Sequence, residues 1–472
     1  MTITEASGET CSARNPSTLE GRMLRFPLKL AGVCAALAAV LSVTVPAGTA
    51  SAEDLDVVPL AAVPIDRSYV ENYVEFDDGK HEKIAAHALR LINAAAGGDL
   101  TITLYYFDRP EIVDALSAAA KRGVNVRVVI DGWNIGRPTY KKLMEAATVP
   151  PVGQRVKVMT CGRPRVSFEG RMVASRGCIA NREWSDENGE PDVSPSIMHN
   201  KFMTLSAVLS TEGTLNNVVY VSSANLDWYG GQDRPEHKAF ENVVTLTSPD
   251  LYQFYANKYF DDLWFGPSTT GDNDYGSEPE NNLKTVVNEV YTFPRETDPI
   301  ADQIWEAHRA CSTTAQDDII RVANFRISRE TISSTLASAL QRGCTVQVVT
   351  GDQGDDASTP NTEEYYTALE NIVSAGVDVK LCKNDRGFPQ MHEKTVIINH
   401  SNAAGLYIGS QNLTDGGLRY GDENVLRVMK DSPLMAKFNQ RFDFLHATCP
   451  SWKIPESGRA FEDVGQVLSD AG

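Results

Sequence analysis

Residues 101–132 read TITLYYFDRPEIVDALSAAAKRGVNVRVVIDG, and residues 318–352 read DIIRVANFRISRETISSTLASALQRGCTVQVVTGD. Each stretch contains an apolar strand, an amphipathic helix and a second apolar strand rich in valine. We predict that Gly123 and Gly343 stop the two helices, because glycine readily adopts the left-handed conformation found after many helix ends. The chain therefore carries one strand–helix–strand pattern twice.

Each stretch is followed by a second helix and a third strand. In the first half these are TYKKLMEAA (139–147) and QRVKVMT (154–160). In the second half they are EEYYTALENIVSAG (363–376) and VDVKLC (377–382). Strands that alternate with helices form parallel sheets through right-handed crossovers. The sequence therefore predicts an α/β fold made of two similar halves.

The length and composition fit two globular domains. The chain has 472 residues, of which 42% are hydrophobic and 22% are charged, and it is too long for one ordinary core. We predict domains at residues 53–265 and 283–472. The segment 266–282 between them is polar and contains Gly and Pro, which is typical of a linker.

The N-terminal residues 1–52 have the pattern of an export signal. Arg25 and Lys29 precede an apolar run at 30–45, and the Ala-Ser-Ala sequence at 50–52 offers small residues for cleavage. A membrane-spanning helix needs about 20 apolar residues, so this run is short for an anchor. We expect a signal peptide cleaved near Ala52 and a secreted protein, with an uncleaved anchor as the alternative.

Cysteine positions suggest three disulfide bonds. An even number of cysteines remains after residue 52, as in many exported proteins. Cys344 opens a predicted strand and Cys382 ends one, so they lie at opposite edges of the sheet, whereas Cys311 lies near the same edge as Cys344. Several pairings stay possible from the sequence. The favoured pairs are Cys161–Cys178, Cys311–Cys344 and, by elimination, Cys382–Cys449.

Each half carries a His-x-Lys motif after its third predicted strand. The motifs are His199-Asn200-Lys201 and His392-Glu393-Lys394. Alternate residues of a strand point to the same face, so the His and Lys of one motif can face one ligand. A Ser-x-Asn motif and then a Glu-Asn pair follow in both halves. In order, these contribute Ser223, Asn225 and Glu241 in the first half and Ser410, Asn412 and Glu423 in the second.

These residue types suit the chemistry of a phosphodiester. Lys ammonium groups neutralise the non-bridging oxygens, and Asn and Ser side chains can donate hydrogen bonds to them. A neutral imidazole can attack phosphorus while a protonated imidazole donates to the leaving oxygen. A carboxylate on the far ring nitrogen would fix the tautomer, and Glu241 and Glu423 are the candidates. This chemistry requires no metal ion and no cofactor.

The two ordered sets of motifs in one α/β chain resemble the phospholipase D superfamily, in particular its secreted bacterial-type members. The resemblance covers about residues 66–450. It implies two similar α/β sandwich domains packed pseudo-symmetrically around one active site. It also implies that His199 is the nucleophile, that His392 is the acid, and that a phosphohistidine intermediate forms.

The resemblance implies roles for the other motif residues as well. Glu241 and Glu423 correspond to the acid that follows each Ser-x-Asn motif in the family. The residues implied to bind the phosphoryl group are Lys201, Lys394, Asn225 and Asn412, supported by Ser223 and Ser410. The family has an Asp five residues after each motif Lys, where this chain has Ser206 and Asn399. A longer spacing after His199 predicts an extended hairpin around residues 210–215.

We therefore expect a phospholipase D-like phosphodiesterase that hydrolyses phospholipid headgroups or transfers the phosphatidyl group to another alcohol. It would act as a monomer and touch a membrane surface transiently. A nuclease or another phosphodiesterase of the superfamily is one alternative, although a net charge of −18 disfavours nucleic acid as a partner. The second alternative is a non-catalytic lipid- or partner-binding protein with a decayed site, motivated by Ser206 and Asn399.

Overall fold

A computed structural model describes most of the chain between residues 61 and 453. The described ranges are 61–79, 82–150, 152–162, 166–168, 171–173, 177–181, 196–227, 238–266, 271–311, 318–351, 362–384, 387–399, 402–429 and 432–453. The predicted signal peptide, its cleavage site and linker residues 267–270 lie outside them. The described residues all belong to one compact unit.

The first half contains strands β1 to β10 and helices α1 to α5. The strands are β1 Tyr73–Asp78, β2 Asp99–Leu104, β3 Asn125–Asp131, β4 Val156–Cys161, β5 Val166–Phe168, β6 Arg171–Val173, β7 Ile197–Met198, β8 Phe202–Ser210, β9 Gly213–Ser222 and β10 Ala239–Thr247. The helices are α1 Glu82–Ala94, α2 Pro110–Lys121, α3 Pro138–Thr148, α4 Pro249–Tyr252 and α5 Phe260–Phe265. A π-helical segment, Gln253–Tyr259, joins α4 to α5.

The second half contains strands β11 to β19 and helices α6 to α10. The strands are β11 Leu283–Lys284, β12 Asn288–Phe293, β13 Ile319–Asn324, β14 Thr345–Thr350, β15 Asp378–Leu381, β16 Gln390–Met391, β17 Lys394–Ile398, β18 Gly405–Gly409 and β19 Gly421–Met429. The helices are α6 Pro299–Ala310, α7 Glu330–Gln341, α8 Thr362–Ser374, α9 Asp415–Arg419 and α10 Pro433–Thr448. No helix among the described residues has the length and apolar character that crossing a membrane requires.

Two mixed sheets dominate the described part of the chain. The first has the order β1-β10-β9-β8-β2-β3-β4, with β16 of the second half paired to β10. The second has the order β11-β12-β19-β18-β17-β13-β14-β15, with β7 of the first half paired to β19. In both sheets the three repeated strands are parallel, β2-β3-β4 and β13-β14-β15. The predicted duplicated α/β fold is therefore confirmed.

Local details of the repeat also agree with the prediction. Gly123 and Gly343 follow α2 and α7, each with a φ of about 100°, which a residue with a side chain rarely adopts. The extra residues of the first half lengthen the β8–β9 hairpin, whose turn pairs Ser210 with Gly213. The strand β8 has 9 residues, whereas its counterpart β17 has 5.

Three apolar cores stabilise this arrangement. One combines α1, α2 and the first sheet, with Leu91 and Val128 among its buried members. Another combines α6, α7 and the second sheet, with Leu336 among its members. The third contains side chains from both halves, including Phe202 and Met391, which flank the two His-x-Lys motifs. Burial of this shared core holds the two sheets together, because apolar burial stabilises by about 25 cal/mol per Å².

The three favoured disulfides are confirmed. Their Cα–Cα distances are 4.7, 5.3 and 5.0 Å, within the range that a disulfide can bridge. Cys161 ends β4 and Cys382 follows β15, so two of the bonds lie at the same edge of their sheets as the His-x-Lys motifs. The Cys311–Cys344 bond lies at the opposite edge. The paired bonds are Cys161–Cys178, Cys311–Cys344 and Cys382–Cys449.

The described part of the predicted linker packs closely against the first half. Residues 271–282 form two 3₁₀ turns, Tyr275–Ser277 and Pro279–Asn281. The side chains of Tyr275 and Asn281 are buried, and Lys258 Nζ donates a 2.6 Å hydrogen bond to Asn281 Oδ1. The polar side chains of this segment therefore form hydrogen bonds within the fold.

We expect the Cys311→Ser/Cys344→Ser double variant to lower the free energy of unfolding by about 2–4 kcal/mol, because the bond restricts the unfolded chain. Urea denaturation under oxidising conditions measures this change. An unchanged denaturation midpoint would contradict the prediction.

Candidate active site

The two His-x-Lys motifs begin where the halves exchange short strands. β7 leaves the first half and pairs in parallel with β19 of the second sheet, while β16 pairs with β10 of the first sheet. The His199 N–H then donates to the carbonyl of Asp422 at 3.0 Å, and the His392 N–H donates to that of Phe240 at 3.1 Å. Each catalytic candidate is thus fixed by the backbone of the opposite half.

Because of the strand exchange, each motif histidine pairs with the glutamate of the other half. His199 Nδ1 lies 2.8 Å from Glu423 Oε1, and His392 Nδ1 lies 2.6 Å from Glu241 Oε1. All four side chains are buried. When Nδ1 donates to the carboxylate, Nε2 keeps the lone pair that nucleophilic attack needs. The structure therefore brings together the four residues that the motifs indicate, and each pair joins the two halves.

The motif lysines lie beside the histidines. Lys201 Nζ donates to the His199 carbonyl at 2.7 Å, and Lys394 Nζ donates to the His392 carbonyl at 2.6 Å. Burial lowers the pKa of Lys201 to about 7 and that of Lys394 to about 8. Both ammonium groups therefore titrate near neutral pH. A bound anion would favour their charged forms.

Burial also lowers the pKa of both histidines well below the ordinary value of 6.5. The positive charges of Lys201 and Lys394 add to this effect, and the charge of His392 also acts on His199. Both rings are therefore neutral at pH 7, which is the nucleophilic form. Burial raises the pKa of Glu423 to about 8, and the Lys201 ammonium opposes this shift. The charge of Lys201 thus favours the ionised form of Glu423, and the charge of Glu423 favours the protonated form of Lys201.

The motif serines orient the glutamates. Ser223 Oγ donates to Glu241 Oε2 at 2.5 Å and accepts from the Asn242 N–H at 2.9 Å. Ser410 Oγ accepts from the Asn424 N–H at 3.1 Å. These contacts place the Ser223 hydroxyl against the Glu241 carboxylate. Ser223 therefore supports Glu241, and the role of both serines in supporting a bound phosphoryl group stays a prediction.

The motif asparagines have unmet hydrogen-bonding capacity. Asn225 Oδ1 and Asn412 Oδ1 are buried and have no hydrogen-bond partner among the described residues. Asn225 lines a small cavity together with Tyr105 and Lys201. Leaving a buried amide oxygen unpaired costs roughly 1–3 kcal/mol, so we expect a water molecule or a ligand to donate a hydrogen bond to each of them.

Two aromatic residues of the site were not predicted from the sequence. The Tyr105 ring packs edge-on against His199 at 4.6 Å, and the Phe325 ring packs against His392 at 4.8 Å. Both follow the first repeated strand directly, after β2 and β13. Their equivalent places in TITLYYF and DIIRVANF were the signal that could have found them.

The middle residue of each motif also links the halves. Asn424 Nδ2 donates to Asn200 Oδ1 at 2.7 Å. In the other motif, Asn242 Nδ2 donates to Glu393 Oε2 at 3.0 Å, and Arg441 Nε donates to Glu393 Oε1 at 2.7 Å. The Asn that follows each catalytic Glu candidate therefore holds the opposite motif in place.

The two positions that depart from the family pattern have structural contacts. Ser206 Oγ accepts from the Asp99 N–H at 2.8 Å, where β2 begins. The Asn399 N–H donates to the Ile319 carbonyl at 3.1 Å, where β13 begins. Both residues anchor the strand ends that lie opposite the motif edge. Loss of the family Asp therefore leaves the histidine–glutamate pairs in place.

The fold and the site define a duplicated α/β protein with a paired-histidine site of the phosphodiesterase type. The family model described as "Cardiolipin synthase, PLD-like domain" matches residues 88–264 and 311–445. The match covers more than half of the chain, so the chain belongs to this family within the phospholipase D superfamily. Among the described residues, no cluster of His, Cys, Asp and Glu side chains is arranged to hold a metal ion.

Solved structures with a similar fold include phosphatidylserine synthase from Haemophilus influenzae Rd KW20. It has a TM-score of 0.54 and 13% identity, and the alignment covers 80% of this chain and 87% of that chain. Polyphosphate kinase from Porphyromonas gingivalis has a TM-score of 0.47 and 11% identity over 79% of this chain, which spans 50% of the kinase.

A smaller structure aligns with about a third of the chain. Nuc from Salmonella typhimurium, a phospholipase D family member, has a TM-score of 0.29 and 18% identity over 35% of this chain and 98% of its own. Among curated proteins, none matches the sequence significantly.

We expect the affinity for dimethyl phosphate to fall as the pH rises through about 7 to 8. This ligand keeps one negative charge over that range, whereas Lys201 and Lys394 lose their protons above pKa values of about 7 and 8. Isothermal titration calorimetry at several pH values measures the change. Lys394→Gln should weaken binding and reduce the pH dependence, and an affinity that rises with pH would contradict the prediction.

Proposed function

We propose that the protein is a secreted phosphodiesterase that cleaves phospholipid headgroups through a phosphohistidine intermediate. His199 acts as the nucleophile and His392 as the acid. The observation that carries the proposal is the pair of crossed histidine–glutamate contacts, each next to a motif lysine. Export follows from the signal-like segment at 1–52.

The reaction proceeds in two displacements. His199 Nε2 attacks phosphorus, a P–N bond forms, and the P–O bond to the headgroup breaks. The electron pair of that bond stays on the leaving oxygen, which takes a proton from His392. In the second displacement a water molecule or an alcohol attacks phosphorus while His392 accepts its proton, and the P–N bond breaks. Water yields phosphatidic acid, and an alcohol yields a new phosphatidyl ester.

The two displacements require a neutral His199 and a protonated His392 at the start, and burial and the charge of the bound substrate favour these forms. His199 is neutral before attack because burial lowers its pKa. The bound phosphodiester adds a negative charge, which raises the pKa of His392 so that it can serve as the acid. Lys201 and Lys394 neutralise the non-bridging oxygens in both displacements. Glu241 and Glu423 fix the ring tautomers and stabilise the imidazolium form.

A phospholipid fits this protein better than nucleic acid. The net charge of −18 repels a polyanion over most of the surface. Arg155 begins the one modest basic cluster in the sequence. It lies at the surface, where Nη1 donates to the Gly123 carbonyl at 2.9 Å and to Asn125 Oδ1 at 2.8 Å, so its guanidinium is partly engaged within the chain. The family description and the phosphatidylserine synthase both name enzymes of phospholipid synthesis, which supports a lipid substrate.

Two exposed aromatic side chains offer contacts for a lipid surface. Phe265 is 75% exposed at the end of α5, and Phe444 is 47% exposed in the last part of α10. Phe444 packs against Phe240, whose carbonyl holds the His392 N–H. Through Phe240, Phe444 gives the His392 side of the site an exposed apolar group that could rest on a lipid surface.

We expect the secreted protein to release phosphatidic acid from phosphatidylcholine vesicles in the presence of EDTA. His199→Ala and His392→Ala should each lower the rate by at least about 1,000-fold, because removal of one member of a catalytic set removes most of its effect. Mass spectrometry of the lipids measures the product, and added ethanol reports transfer as phosphatidylethanol. His446→Ala is the matched control, since His446 pairs with Asp378 at 2.9 Å away from the site.

Two results would contradict the proposal. Either histidine variant could retain nearly the wild-type rate, or the protein could cleave labelled DNA without cleaving lipid. Absence of activity on any phosphodiester would favour the non-catalytic alternative.

We expect the phosphoryl group to be trapped on His199. Rapid acid-free quenching of the His392→Ala variant with a phosphodiester that carries a good leaving group should accumulate the intermediate, because such a group departs without an acid while deprotonation of water is impaired. Peptide mass spectrometry locates the modification. The roles of the two histidines would be reversed if the His199→Ala variant carried a phosphoryl group on His392 and the His392→Ala variant carried none on His199.

A further inference from the structure

The carboxylate of Asp422 is held by three consecutive backbone N–H groups of the opposite half. The N–H of Cys178 donates to Oδ2 at 2.5 Å, that of Ile179 to Oδ1 at 3.2 Å and that of Ala180 to Oδ1 at 2.7 Å. The Asp422 side chain is fully buried. Successive N–H groups that converge in this way form an anion-binding nest. Here the bound anion is a side chain of the second half of the same chain.

Asp422 and the residue that follows it both contact His199. The Asp422 carbonyl accepts the His199 N–H at 3.0 Å, and the next residue, Glu423, binds His199 Nδ1 at 2.8 Å. The fit around the carboxylate is close, since a Cβ added to Gly177 would lie 2.5 Å from Asp422 Oδ2. A shift of the nest would therefore move Asp422 and, with it, the His199–Glu423 pair.

The Cys161–Cys178 disulfide connects the nest to the first sheet. Cys161 ends β4 and pairs with Asp131 of β3, and Asp131 Oδ2 accepts the Met198 N–H at 2.8 Å. Cys178 is the first donor of the nest. The approach to His199 is thus held from one side by Asp131 and from the other by Asp422, and the disulfide joins the two supports.

The other motif has a different support. The residue equivalent to Asp422 is Phe240, whose carbonyl also accepts a histidine N–H, at 3.1 Å. Its side chain is apolar and packs against the Arg441 guanidinium at 5.1 Å. In the described structure, the carboxylate nest therefore serves His199, and His392 provides an internal comparison.

We propose that Asp422 and the Cys161–Cys178 disulfide position the His199–Glu423 pair across the two halves, so that opening this bond with a dithiol reductant disables the site without unfolding the protein. In that step the reductant gives two electrons and two protons to the sulfurs, which become two thiols, and it forms its own disulfide. Asp422 is a positioning residue, since it acts through His199 and Glu423. The activity measurement rests on the proposed function.

The activity test compares three variants of the full chain. Asp422→Asn and Cys161→Ser/Cys178→Ser should each lower kcat by about 100-fold with little change in KM, because misplacement of a reacting group by about 1 Å has an effect of that size. Cys311→Ser/Cys344→Ser is the matched control and should keep kcat within about twofold. Dithiothreitol should inactivate the wild type and this control to the same extent, and it should cause little further loss of activity in Cys161→Ser/Cys178→Ser, which already lacks the bond.

A second measurement reports His199 directly and needs no substrate. In protein with ¹³C-labelled histidine, NMR titration should show that Asp422→Asn raises the pKa of His199 toward its ordinary value, because a loosened ring is better solvated. The titration of His392 should stay as in the wild type. If Asp422 had a purely structural role, the variant would have a lower melting temperature, and the difference between the pKa values of His199 and His392 would stay as in the wild type.

The outcomes separate the two proposals. If Asp422→Asn keeps the wild-type kcat, or if both rings shift equally, the positioning role is wrong. If Cys161→Ser/Cys178→Ser does not fold, Asp422→Asn alone decides, since it keeps the size of the side chain. If the wild type cleaves no phosphodiester, the proposed function fails, and the His199 titration still decides the positioning role.

Discussion

The site depends on two short strands that cross between the halves. Each crossing strand makes few backbone hydrogen bonds. It nevertheless fixes the position of a histidine against the sheet of the other half. The glutamate that fixes each ring is the next residue of that foreign strand. Rigid strands hold side chains more accurately than loops do, and this accuracy is what two groups acting on one phosphorus require.

The crossings also make burial of charge tolerable. Lys201 and Lys394 are almost fully buried, which is costly for an ammonium group unless opposite charges lie close. The charges of Glu241 and Glu423 both raise the pKa of each lysine and so offset part of the cost of burial. The two halves therefore share one electrostatic system, in which a ligand anion completes the balance.

Much of the fold was predictable because its signals are local. Apolar strands, amphipathic helices and the stops at Gly123 and Gly343 depend on neighbouring residues, and strand direction alone separated Cys344 from Cys382. The pairing of His199 with Glu423 was not predictable, since duplicated motifs give each histidine two equivalent partners. Asp422 was missed for a related reason. Its role comes from a loop more than 200 residues earlier, and no short pattern connects the two.

The distance along the chain between His199 and Glu423 bears on the order in which the protein is made. A ribosome completes the entire first half, including its lysine and serine, before the carboxylate that serves His199 has been polymerised. A nascent fragment that ends before Glu423 therefore lacks the His199–Glu423 pair. Because each half supplies the glutamate of the other, neither histidine–glutamate pair can form until most of the second half has been synthesised.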